Sequence, residues 1–179
     1  MPKSVAVVLS LVVVLSVVVA LPARAQRETP RRQDRLIGAF DYLQVKDAVT
    51  DADRSRIATF SQPMPTDRLA FLAWSCRSNG LNVGYTFGTP MGSVTDRAIV
   101  RYSFADAPAT TFEPWALAIG NVGVIMPMVD VMGFTHAAQS FRTVAIRVKV
   151  REHEVTDTFR LDGLTEALRL LPCYRPDGR

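Results

Sequence analysis

From residue 39 onward the main signal is apolar and polar residues alternating with a period of two, the pattern of strands buried on one face. The clearest unit flanks Asn79-Gly80, a pair that favours a two-residue type I′ turn. Such a turn pairs Ser78 with Leu81 and sets Cys76 opposite Val83, Trp74 opposite Tyr85 and Leu72 opposite Phe87, all on one apolar face. Ala73 and Ser75, facing Thr86 and Gly84, fall on the other face. A second hairpin around Gly120-Asn121 sets Ile119 against Val122, Leu117 against Val124 and Trp115 against Met126. A third joins Phe141–Val150 to Val155–Leu161 through a four-residue loop, Arg151 to Glu154. That loop puts Val150 against Val155, Ile146 against Phe159 and Val144 against Leu161. Asp157, opposite Val148, is then the one charge on an apolar face. Further strands are expected at 39–46, 56–61 and 97–104, where Val100, Tyr102 and Phe104 alternate.

Helix is scarce. Pro127 to Phe134 suits a short buried helix with Pro127 in its first turn, leaving His136 in the connection that follows. Near the C-terminus Asp162 is a good N-cap, and Leu164, Ala167, Leu168 and Leu171 recur at helical spacing before Pro172. The expected fold is therefore mostly β within the α+β class. It is an antiparallel sheet or sandwich of hairpins, with the C-terminal helix packed on the face that carries Cys76.

The first 25 residues have a different character. Lys3 precedes an apolar run from Val5 to Leu21, Pro22 breaks it, and Ala23-Arg24-Ala25 is a small-x-small cleavage pattern before Gln26. A spanning helix wants roughly 20 apolar residues, so a cleaved signal peptide is favoured over a membrane anchor. Membrane contact is then expected only before cleavage. The expected organisation is a signal peptide over 1–25, a flexible polar lead over 26–35, one β-rich domain over 36–173 and a tail over 174–179. Cleavage removes Lys3 and Arg24 and so lowers the formal net charge of +4 by two. The remaining cations are interleaved with acids, which argues against nucleic acid as a partner.

The location bears on the cysteines. Cys76 and Cys173 are the only two, and an even pair in an exported chain is expected to form a disulfide. The alternative is two buried thiols.

No catalytic, cofactor or metal site is expected. His153-Glu154-Val155-Thr156-Asp157 approaches the helical zinc motif H-E-x-x-H. On a strand, however, positions i and i+4 are roughly 13 Å apart, too far for one ion. Two distant histidines give no other ligand spacing. There is no G-x-S-x-G elbow, and Gly88 to Ser93 lacks the Lys of a phosphate loop and reads as a strand connection. Trp74 and Trp115 are expected in the core. Arg101, Arg147 and Lys149 are expected on a solvated face, and the Asp-Arg pairs at Asp34, Asp53, Asp67 and Asp96 as charged guards of strand entries.

Several residues together carry a resemblance. They are Leu72, Trp74-x-Cys76, Val100-Arg101-Tyr102-Ser103-Phe104-x-Asp106, Trp115, the strand Arg142–Val150, and Phe159-Arg160-Leu161-x-Gly163-Leu164 with Ala167, Leu168 and Cys173. In this order they resemble the small exported β-rich proteins of the VasI type, found with bacterial type VI secretion systems. The resemblance implies a periplasmic accessory protein with a Cys76–Cys173 bridge, no known enzymatic activity and no catalytic residues to carry over; the expected partner is an envelope protein. The alternatives are a small envelope hydrolase with unidentified carboxylates, and an adaptor or inhibitor working through an exposed sheet edge.

Overall fold

The computed structural model of the chain describes residues 34–93, 96–105, 107 and 113–176. The expected signal peptide, residues 26–33 of the lead and residues 177–179 of the tail lie outside them. Ten strands form one antiparallel sheet: β1 (Asp34–Ile37), β2 (Phe40–Leu43), β3 (Arg56–Phe60), β4 (Phe71–Arg77), β5 (Gly80–Thr86), β6 (Ala98–Phe104), β7 (Glu113–Leu117), β8 (Gly123–Ile125), β9 (Thr143–Val150) and β10 (His153–Arg160). Helix α1 (Met128–Ala138) lies between β8 and β9, and α2 (Leu164–Leu168) follows β10.

The spatial order is β1-β2-β3-β4-β5-β8-β7-β6-β9-β10. The sheet curls on itself: beyond the stretch of β3 that β2 covers, Ser61 bridges Phe159, and the Gln62 amide donates to the Thr158 carbonyl at 2.8 Å. Strands β3 to β10 thus wrap a single core, and β1–β2 extends from the same edge.

Alternation places the core as expected. Leu72, Trp74, Cys76, Leu81, Val83, Tyr85, Val144, Ile146, Val148 and Phe159 are all buried. Each large apolar side chain so buried stabilises the fold by roughly 1.5–3 kcal/mol. Helix α1 contributes Phe134, whose ring stacks on Trp74 at 5.9 Å between centroids. The Trp74 indole N–H donates to Thr135 Oγ at 3.0 Å, so the buried donor is satisfied. Trp115 is equally buried, but its Nε1 has no partner among the described residues.

The Gly120-Asn121 hairpin has the expected register. Leu117 pairs with Val124 and the Ala118 amide donates to the Gly123 carbonyl, while the loop between them is a tight 3-10 turn over Ile119–Asn121 in which Gly120 and Asn121 take positive φ (79° and 54°). The other two hairpins keep the expected faces but slip by two residues. Cys76 stands opposite Leu81 rather than Val83, and Trp74 opposite Val83. The turn there is Ser78-Asn79. Gly80 takes the positive φ of 110° and Asn79 does not, so the turn is not type I′. In the third hairpin the turn shortens to Arg151-Glu152, with Arg151 at φ 53°. Asp157 therefore faces Ile146, not Val148, and Phe159 faces Val144.

Four further expectations are corrected. The domain begins at Asp34, within the supposed lead, because β1 pairs with β2. His136 lies in the last turn of α1, which runs past Phe134 to Ala138. The residue before α2 is Gly163 at φ 86°, and the Asp162 carboxylate is held instead by Arg160 at 2.8 Å. Tyr174 is no loose tail, since its amide donates to Leu171 O and its hydroxyl accepts from Gln139 Nε2 at 3.1 Å.

Helix α2 packs against β1 and β2, burying Leu164, Ala167 and Leu168. Just beyond it, Cys173 bonds to Cys76 with their Cα atoms 5.5 Å apart. An intramolecular disulfide of this kind is consistent with an oxidising compartment.

Candidate functional site

The inward phase of β10 carries Asp157, which is only 5% exposed. A buried carboxylate needs compensating donors, and three parts of the chain provide them. Arg68, from the connection between β3 and β4, forms a two-pronged pair: Nη1 to Oδ2 at 2.7 Å and Nη2 to Oδ1 at 2.8 Å. Ser61 Oγ, at the β3–β10 seam, donates to Oδ1 at 2.9 Å, and the Tyr85 hydroxyl of β5 donates to Oδ2. Arg68 Nη1 also donates to the Phe87 carbonyl at 3.0 Å.

Burial pushes the Asp157 carboxyl up. The hydrogen bonds from Arg68, Tyr85 and Ser61 and the charge of Arg68 outweigh it and hold the group below its usual range. Tyr85 moves the other way, raised by burial and then by the adjacent carboxylate. The cluster is anionic at Asp157, cationic at Arg68 and neutral at Tyr85. Both carboxylate oxygens are occupied, leaving no approach for a substrate. What the arrangement does is join β3, β5, β10 and the 61–70 connection. Arg68 therefore does not guard a strand entry in solvent, as its Asp-Arg pair suggests; it is the partner of Asp157.

The outer face of the sheet is open. A groove of about 400 Å³ runs over β3, β4, β5 and β8. Ala73, Gly84 and Ala118 keep it low, while Ser75, Asn82 and Thr86 offer polar groups. Arg54, Arg56 and Arg77 stand at one end, Phe71 lies at the other with Ile125 level with Ala73 and Gly84 between them, and among the described residues no Asp or Glu lines it. A smaller hollow of about 240 Å³ over β6, β9 and β10 is lined, among the described residues, by Arg101, Tyr102, Ser103, Ala145, Arg147 and Thr156. Arg101 and Arg147 pair across β6 and β9 on the outer surface, as expected. A third hollow, about 350 Å³, contains both Asp162 and Glu166, but Asp162 is already engaged by Arg160.

The remaining sequence candidates do not converge. His153 is exposed at the start of β10 while Asp157 points inward, and His136 is exposed on α1. Among the described residues no group of three His, Cys, Asp or Glu is placed to hold a metal. Gly88 to Ser93 forms a strand connection, pinned where the Ser93 amide donates to Asp96 Oδ2 at 2.6 Å. Cys76 and Cys173 are joined to each other.

Sequence pattern identified Asp157 as the anomalous charge. It missed Arg68, which lies 89 residues away in the chain. It also missed the groove, which depends on β8 pairing with β5 although the two strands are not consecutive in the chain. No family model matches the chain, and neither a curated protein nor a solved structure matches it.

Proposed function

We propose that the protein is an exported, non-enzymatic binding or accessory module of the bacterial cell envelope, working in the periplasm. The observation that carries this reading is the contrast between its two polar features. The ionisable cluster around Asp157 is closed and internally satisfied, whereas the larger groove is open and, among the described residues, lined by polar groups without a carboxylate. An active site needs a reachable acid, base or nucleophile, and a recognition surface needs an open one. The Cys76–Cys173 bridge supports an oxidising location, and the signal-like first 25 residues support export. The resemblance to VasI-type proteins supports an association with a secretion system as the specific setting.

The full chain, produced in a Gram-negative host, tests the location. The expected product is released by osmotic shock, begins at Gln26 by intact mass and carries no free thiol after denaturation without reductant. Retention of residues 1–25 in the membrane fraction, or two titratable thiols, contradicts the reading.

A further inference from the structure

We infer that the groove over β3, β4, β5 and β8 binds an extended acidic peptide segment of a partner protein. This rests on the reading of the protein as a binding module and names what it binds. The argument begins with register. Arg56 pairs with Ser75 and Ser75 with Asn82, so one outward row across three strands reads Arg-Ser-Asn. The Cys76 amide donates to the Ser55 carbonyl at 2.9 Å, which continues the β3–β4 alignment beyond Arg56. Arg54 thereby falls level with Arg77, and Arg56 is two residues on from Arg54 on the same face and diagonal to Arg77. Like charges set this close across strands destabilise a sheet, and the structure does little to relieve them. Arg56 and Arg77 have no acidic partner among the described residues, and Arg54 reaches Asp47 only at 3.8 Å. Asp41, one strand beyond Ala58 in the adjoining row, lies outside the lining. Exposed guanidinium groups gathered in this way suit carboxylates, which they can bind with two parallel hydrogen bonds.

The rest of the groove decides between classes of anion. A polyphosphate or acidic polysaccharide wants cations along its whole length. Here they are confined to one end, Phe71 lies at the other, and Ile125 stands level with Gly84 between them. Along β4, Arg77 and Phe71 are separated by about 20 Å, the length of roughly six extended residues. The small floor residues Ala73 and Gly84 leave room for a backbone over the middle of the groove, and Ser75 and Thr86 provide polar side chains for it, while the Asn82 amide nitrogen is engaged by Asn79 Oδ1 and the Gly80 carbonyl. The matching occupant has carboxylates at one end and an apolar side chain at the other.

The test uses the folded, disulfide-bonded protein and a fluorescein-labelled hexapeptide with two aspartates at one end and leucine at the other. Binding is followed by anisotropy and mapped by amide chemical shifts. The expected shifts centre on Ala73, Ser75, Asn82 and Gly84. Arg56→Gln or Arg77→Gln should weaken binding roughly tenfold, the loss expected from one charge-assisted hydrogen bond. Arg147→Gln, on the β6–β9–β10 face, should leave it unchanged. Replacing the aspartates with asparagine, or the leucine with serine, should each weaken it. Absence of binding at millimolar peptide, or shifts confined to another face, overturns the inference. So does polyphosphate binding the same residues as tightly, with the leucine making no difference. Export and disulfide formation would be unaffected by any of these results, so failure here is distinguishable from failure of the broader reading.

Discussion

Asp157 is a buried carboxylate held by donors from three separate parts of the chain. Its side chain is 3% exposed and that of Arg68 13%, so the pair is removed from water and depends on its own hydrogen bonds. Such a pair contributes little net stability compared with a well-packed apolar pair, but removing one member leaves the other charge buried without a counterion. Asp157→Ala is therefore expected to cost about 3 kcal/mol in chemical denaturation. The paired replacement Asp157→Leu with Arg68→Met should recover much of that loss, because no isolated charge remains. If the double variant is as unstable as the single one, the cluster does more than satisfy itself.

The hairpins show why some of this architecture was legible in sequence and some was not. A period of two assigns each residue to a face, and the faces of β4, β5, β9 and β10 follow it. A slip of two residues preserves every face, so alternation alone cannot choose between the two registers. Turn chemistry must decide, and it succeeded at Gly120-Asn121, where both residues take positive φ. It failed at Asn79-Gly80, where only the glycine does, and at Arg151, an arginine in the left-handed region. The sheet closure was equally hidden, since it rests on contacts such as Ser61 with Phe159, far apart in sequence. One glycine contact tests the packing of α2. Gly38, at φ 58°, has no room for a Cβ, which would lie 2.2 Å from the Asp162 carbonyl oxygen; at Gly80 a Cβ would meet nothing within 4 Å. Gly38→Ala is expected to cost about 3 kcal/mol, because the β1–β2 turn must lift off the start of α2. Gly80→Ala should cost about 1 kcal/mol, from its backbone conformation alone. Equal melting temperatures for the two variants would show that the turn does not bear on the helix.

Two closures hold the molecule together, and they should respond to different reagents. The disulfide links residues 97 apart in the chain, and in the chain-entropy model a loop of that length contributes about 4–5 kcal/mol, less any strain. The cluster at the β3–β10 seam responds to pH. Asp157 is held below its ordinary value of 3.8 in the fold, so its contribution is complete above the unfolded value and is lost as pH falls through the folded one. Asp96, held by the Ser93 amide and Arg151, and Asp47, held by the amides of Thr50 and Val49, act in the same direction. Tyr85 has the opposite sense. Its raised pKa keeps the proton on in the fold, so its contribution is complete below about pH 10 and declines as the unfolded tyrosine ionises. Tyr102, raised first by burial, adds to that alkaline decline. These groups together give a stability plateau from about pH 4 to about pH 10 with a fall on either side. Replacing both Cys76 and Cys173 with alanine should lower the whole curve by a few kcal/mol and leave its shape intact, since neither bridged sulfur titrates. Asp157→Asn should lower the plateau and make the acid fall shallower, without abolishing it because Asp47 and Asp96 remain. Denaturation curves at closely spaced pH values on the three proteins separate the effects. An acid fall as steep in Asp157→Asn as in the parent protein would remove Asp157 from the account of acid stability.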